Sequence, residues 1–190
     1  MKKKGLLITI AVLVIILLGI LCFLVFRKGT GNLELSLGDL KYNGEYQYND
    51  LEWGASSKKV KDKLHNDIYE DEARRDTAAG DALYYSKNAF TLDGKEAVAR
   101  YEFHKGQLQS VEFPFVMDDS YMEWFESRVD ELKALYGEET EKMENTMEAY
   151  GMLTKGYKWN TDHSTLQIIL VAGDSVTPTV HLVVACRTGK

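Results

Sequence analysis

The sequence predicts an α+β domain of antiparallel β-sheet meanders packed with two helices, arranged as two helix-plus-meander halves and preceded by one transmembrane helix. Three observations carry this. Residues 6–26 are an uninterrupted uncharged, apolar run. Between residues 82 and 115 apolar side chains recur with a period of two, punctuated by turn dipeptides. Residues 120–136 then repeat at three- and four-residue steps, the period of a helix with one buried face.

The apolar run follows Met1-Lys2-Lys3-Lys4 and stops at Arg27-Lys28. A helix rises ~1.5 Å per residue, so a run of this length crosses the ~30 Å hydrocarbon layer of a bilayer. A secretory signal has a shorter core of roughly 7–15 residues and small residues at its cleavage site. Here the run ends in Leu24-Val25-Phe26, and Cys22 follows Ile20-Leu21 rather than the small residue a lipoprotein signal needs. Residues 6–26 therefore read as an uncleaved signal anchor. Three lysines and the α-amino group stand before it against two basic residues after it, and positive flanks stay inside. The expected order is a cytoplasmic N-terminus over 1–5, the membrane helix over 6–26 and a short tether over 27–32. An extracytoplasmic α+β domain over 33–190 completes it.

All 29 acidic residues lie beyond the anchor with 18 of the 23 basic ones, so that part carries −11 against −6 for the whole chain. Such a surface repels nucleic acid and anionic headgroups. Cys22 and Cys186 fall on different sides of the anchor boundary and are not expected to pair. A domain of ~160 residues buries enough surface to hold without disulfides.

Leu33, Leu35 and Leu37 alternate with other residues as a strand does, and Tyr42-Asn43-Gly44-Glu45 is a two-residue hairpin signal. Ser56 is a good helix N-cap, with Val60 and Leu64 one turn apart on one face. Residues 66–80 are polar and read as a loop. Strands are expected over 83–85, 89–92, 97–103 and 108–115, turning at Asp93-Gly94 and Lys105-Gly106. Tyr101 and Phe103 would share a buried face with Val111, Phe113 and Phe115, opposite Arg100, Glu102, Ser110 and Glu112. Pro114, lacking an N–H, suggests a sheet edge.

Ser120-Tyr121-Met122-Glu123 spells a capping box. The stripe behind it is Met122, Phe125, Val129, Leu132 and Tyr136, stopped by Gly137. Strands follow over 157–160, 165–171 and 179–186, with a further one over 147–153.

Trp53-Gly54-Ala55-Ser56, entering a short helix that bears Val60, resembles the β-lactamase-inhibitor-protein-like group, which includes the small outer-membrane lipoprotein A-type assembly modules. The likeness covers the 51–115 half and is repeated loosely from Phe125 through Tyr136-Gly137. It implies a capped helix before an antiparallel sheet, sometimes twice, serving as a binding or assembly module without catalytic residues. This chain departs from the outer-membrane type in having a membrane helix where that type has a lipidated cysteine.

Motifs for chemistry are sparse. Gly173-Asp174-Ser175 matches the start of an esterase signature but sits between the last two strands, where a turn is the simpler account. Asp162-His163-Ser164 are sequence neighbours and cannot by themselves form a nucleophile–base–orienter array. His65, His104, His163 and His181 lack zinc spacing, and Glu70-Asp71-Glu72 lacks a calcium-loop pattern. No cofactor or metal is expected. Beyond the bilayer at 6–26, the expected partner is a protein or glycan at the cell surface. The expected contact is an aromatic surface of Tyr42, Trp53, Tyr84 and Tyr85, because tyrosine and tryptophan dominate binding hot spots. Two alternatives stand beside this non-catalytic module. One is an envelope hydrolase using Glu123 and Glu126 or the Asp174/Ser175 loop; the other is a structural accessory subunit of a membrane complex.

Overall fold

A computed structural model of the chain describes residues 32–147 and 151–187, so the anchor at 6–26 and nearly all of the tether lie outside the described residues. Among the described residues no helix is long and apolar enough to cross a membrane.

The chain opens with strand β1 (Leu33–Glu34), a 3-10 turn at Leu37–Leu40, and a hairpin of β2 (Lys41–Tyr42) and β3 (Glu45–Tyr46). Helix α1 (Ser57–Lys63) and β4 (Ile68–Glu70) precede the first meander, β5 (Ala82–Leu92), β6 (Lys95–His104) and β7 (Gln107–Val116). Helix α2 (Tyr121–Tyr136) precedes the second: β8 (Glu141–Met147), β9 (Met152–Asn160), β10 (Ser164–Gly173) and β11 (Val176–Cys186). The large sheet runs β1-β5-β6-β7-β11-β10-β9-β8, with β4 also on β5. Its strands are antiparallel except for the short parallel β1–β5 contact. This is an α+β domain with a large, mostly antiparallel sheet.

The turns form where local chemistry demands them. Asn43-Gly44, Asp93-Gly94 and Lys105-Gly106 all take positive φ at both positions, the backbone that lets a two-residue turn follow the strand twist. The sheet then sorts side chains by face. Tyr84, Tyr101, Val111, Val184, Leu166 and Trp159 lie in one cross-strand rank from β5 to β9. All six are buried. Both helices lie on this face. The Lys61 ammonium of α1 stands 4.6 Å from the Tyr84 ring centroid, and Phe125 and Trp124 of α2 meet Tyr157 and Phe115 at 5.9 and 5.4 Å. The opposite rank is Tyr85, Arg100, Glu112, Val183, Gln167, Lys158 and Glu141. None of these is buried, and among the described residues this face carries no helix.

Several expectations need correction. Leu33, Leu35 and Leu37 do not form one strand: the chain turns after Glu34, so Leu35, Leu37 and Leu40 are all buried while Leu33 is exposed. The polar 66–80 stretch contributes β4 and a 3-10 turn at Glu72–Arg74. The capping box does not close. Ser120 hydrogen-bonds the Asp118 carboxylate instead of the helix, and that carboxylate also accepts the Ser120 N–H at 3.1 Å. Met122 points outward, and Trp124 takes its place in the core. Pro114 is in a central strand, paired with His181 of β11. The β6–β7 ladder ends at the Arg100–Glu112 pair, two residues short of the proline. The expected strand over 147–153 straddles the β8–β9 hairpin, of which residues 148–150 lie outside the described residues.

Candidate functional site

Two places gather polar chemistry, a cavity beside β5 and a cluster on the open face of the sheet. The cavity follows from a break in β5. Its register with β6 slips between Tyr85 and Ala89. Ser86 stitches the bulge, donating to the Asn88 carbonyl (2.7 Å) and accepting the Ala99 N–H (2.9 Å). Two left-handed pairs, Asn49-Asp50 and His65-Asn66, turn the facing segments away from the sheet. Between them lies a cavity of about 240 Å³, walled by Leu33, Leu64, Ile68 and Phe90, with Ser86, Asn88 and Asp67 among its polar groups.

The tyrosines Tyr48 and Tyr101 complete the lining. The Tyr48 ring is clamped edge-on by Phe90 and Phe113 at 5.6 and 5.1 Å. Tyr101 is only 1% exposed as a residue; no described protein group hydrogen-bonds either phenol, and neither hydroxyl is among the polar atoms closed off from solvent. Burial pushes the Tyr48 phenol up to about 12. Burial pushes Tyr101 higher still, with Tyr48 and the Asp67 carboxylate adding to it. Both hydroxyls therefore stay protonated near neutrality, as donors. Lys63 also reaches the cavity wall, but its ammonium is 2.8 Å from the Asp50 carboxylate, so its charge is already matched.

On the open face, Thr179 Oγ1 lies 2.9 Å from His181 Nε2 and His181 Nδ1 lies 2.5 Å from Glu112 Oε1. Arg100 reaches the other Glu112 oxygen at 3.4 Å. The His181 hydrogen bond holds the Glu112 carboxyl below its ordinary value; burial opposes it and Arg100 adds to it. No sequence signal announced this alignment, because it depends on the β7–β11 register. It is a hydroxyl–imidazole–carboxylate series, but Thr179 lies within the register between Val116 and Val171. Backbone N–H groups committed to ladders on both sides offer no oxyanion hole.

The four aromatic residues expected to form one surface are not brought together. Tyr84 is buried on the helix side, stacked edge-on with Phe103 at 5.2 Å, its hydroxyl donating to Glu70 at 2.9 Å. Tyr85 faces the other way, with its ring 5.8 Å from exposed Tyr69. Trp53 is half-buried, its indole N–H donating to the Tyr46 carbonyl at 3.0 Å. Tyr42 is exposed on the β2–β3 hairpin.

The other motifs resolve into turns. Asp174 and Ser175 are the tip of the β10–β11 hairpin, where Gly173 pairs with Val176. Ser164, at the β9–β10 turn, is fully buried and works structurally. Its hydroxyl donates to Glu45 at 2.5 Å and accepts the Tyr46 N–H at 2.7 Å, tying the β2–β3 hairpin to the sheet. Burial pushes the Glu45 carboxyl up, but hydrogen bonds from Ser164 and Thr161, with His163, outweigh it and leave it lowered. Glu126 is paired with Lys155, and exposed Glu123 shares an open pocket with Asp93, whose carboxylate lies 3.6 Å from the Arg128 guanidinium. Among the described residues no group of three His, Cys, Asp or Glu is placed to hold a metal ion. No protein-family model, no curated protein and no solved structure matches the chain.

Proposed function

We propose that this chain is a single-pass, membrane-anchored, extracytoplasmic binding module without catalytic activity, and that its cavity takes one small polar unit of a cell-surface ligand. The observation that carries the reading is the Tyr101 phenol, protonated, on a ring almost wholly buried, with its hydroxyl open to the cavity and unpaired by any described protein group. A hydroxyl open to the cavity is free to donate to an acceptor oxygen of a ligand, a hydrogen bond worth roughly 0.5–1.5 kcal/mol net. At about 240 Å³ the cavity lies below the ~300–1,000 Å³ of drug-sized sites. Apolar walls with two phenol donors and the Asp67 acceptor suit a neutral, hydroxyl-bearing group such as a single sugar ring.

The sequence of helix and meander, repeated, supports the likeness to the β-lactamase-inhibitor-protein-like group. The last strands of the two meanders, β7 and β11, pair antiparallel at the middle of the sheet. An internal duplication related by a two-fold at that seam accounts for this order. The anchor at 6–26, with its lysine-rich leading flank, supports a domain held outside the membrane.

The test is a titration of the full chain in micelles with monosaccharides and, as a contrast, amino acids, read by NMR. A sugar should shift the Tyr48 and Tyr101 ring signals. Tyr101→Phe should abolish that response while leaving stability close to that of the wild-type chain, because no described protein group hydrogen-bonds the deleted hydroxyl. No binding to the wild-type chain, or undiminished binding to the variant, overturns the cavity reading. A hydrolase reading different from the one on Glu123, Glu126 or the Asp174/Ser175 loop would draw on Thr179, His181 and Glu112. Ester or amide hydrolysis lost in His181→Ala would establish it instead.

A further inference from the structure

Among the described residues, strand β8 is a sheet edge with nothing across it. It pairs with β9 over its whole length without a register shift, and it is the terminal strand of the sheet. All seven of its residues are exposed, and none is proline. The other end of the sheet is different: β5 is flanked by β4 along Tyr84 to Ser86 and by β1 at Phe90 and Thr91. A long, regular, unprotected edge is a template for another strand, and natural sheets usually block one with a proline, a bulge or a misplaced charge. β8 carries charges, but their order selects a partner.

We propose that the partner is β8 of a second copy of this chain, paired antiparallel about a two-fold axis at Met143. In that register Lys142 stands opposite Glu144 of the second copy, Glu144 opposite its Lys142, and Met143 opposite its own counterpart. Glu141 meets Asn145, and Thr140 meets Thr146. No like charges face each other. A two-fold at Glu144 sets glutamate against glutamate, one at Lys142 sets lysine against lysine, and one between Lys142 and Met143 opposes Glu141 to Glu144. Opposite charges across strands stabilise a pairing and like charges oppose it, so the sequence of β8 singles out the Met143 register.

The surroundings agree. Among the described residues Glu144 forms no ion pair within its own chain, whereas Lys142 bridges only to Glu139, at 2.7 Å, from a side chain that is 64% exposed. Gly156, opposite Met143 on β9, leaves the space that the Met143 methyl fills: a Cβ there would meet that methyl at 3.0 Å and Ile169 at 3.5 Å. Met143 is thus held flat on the open face and is still 38% exposed. Its counterpart across the two-fold would cover it. The pairing is isologous and closes on itself, so it yields a dimer rather than a filament.

The experiment measures the mass of the full chain in micelles by light scattering, with the folding of each variant checked by thermal unfolding. The wild-type chain should have the mass of two copies. Lys142→Glu or Glu144→Lys alone should reduce it to one, and the double exchange Lys142→Glu/Glu144→Lys should restore two. In a Cys22→Ser/Cys186→Ser background, Met143→Cys should form an intermolecular disulfide on mild oxidation, whereas Asn145→Cys, four residue pairs from its own counterpart, should not. A monomeric wild-type chain overturns the proposal. So does a dimer indifferent to both charge reversals, or one cross-linked at Asn145→Cys but not at Met143→Cys.

Discussion

Glu112 sits where β6, β7 and β11 meet, and the groups around it decide its charge. His181 reaches it from β11 and Arg100 from β6, and the His181 hydrogen bond is the largest influence lowering its carboxyl. A carboxyl lowered in the folded state contributes stability above its ordinary value, and that contribution fades as pH falls through the folded value. The urea midpoint of the wild-type chain should therefore exceed that of Glu112→Gln at pH 6, and the gap should close towards pH 3. A gap that stays constant over that range would show that the carboxyl is not lowered. Residues at this scale were only partly legible. That Arg100, Glu102, Ser110 and Glu112 share a face followed from period two alone, since each strand alternates its faces. The same alternation forbids Tyr84 and Tyr85 from sharing a surface, which the expected aromatic patch overlooked. The approach of Thr179, His181 and Glu112 was not legible, because a register between distant strands is absent from any local pattern.

Elements were readable where backbone chemistry is local. Three Xaa-Gly turns, the Ser56 cap and the Gly137 stop all formed as their residues dictate. Gly137 has φ 85° and ψ −173°, a region nearly closed to other residues, and no atom lies within 4 Å of where its Cβ would be. Gly137→Ala should therefore be costly through backbone strain alone, by about 1–3 kcal/mol in urea unfolding. The strain would also move the Gly137 carbonyl, which accepts the Trp159 indole N–H at 2.8 Å. A loss under about 0.5 kcal/mol would mean that the turn relaxes freely and does not fix the end of α2. Elements failed to show where burial leaves no imprint. β8 is exposed at every position, so its sequence Glu-Lys-Met-Glu-Asn-Thr-Met has no apolar period. In α2 the choice between Met122 and Trp124 turned on a shift of the stripe by two residues, and the larger ring won the place beside Phe115.

At the scale of the molecule, both helices on one face leave the other face of the sheet open, and that asymmetry suits a protein that works by contact. The fold class was legible because the change of period from two to 3.6 and back is long-range and unambiguous. The site was not, since the cavity arises from a β5 bulge and two left-handed turns that no composition signals. If residues 6–26 anchor the chain as proposed, what the domain can touch depends on which side of the membrane it occupies, and the fold supplies the reporter. Arg74 and Arg75 lie at the 3-10 turn after β4, with side chains 67% and 53% exposed, so trypsin has two accessible sites on the intact domain. With the three leading lysines inside, trypsin added to intact cells should cut there, and the fragment kept in the membrane should have the mass of a chain that retains residues 1–28. Protection in intact cells followed by cutting after lysis would place the domain inside. A mature chain beginning near residue 30 would mean that the apolar run is a cleaved signal, and that the binding module acts free of the membrane.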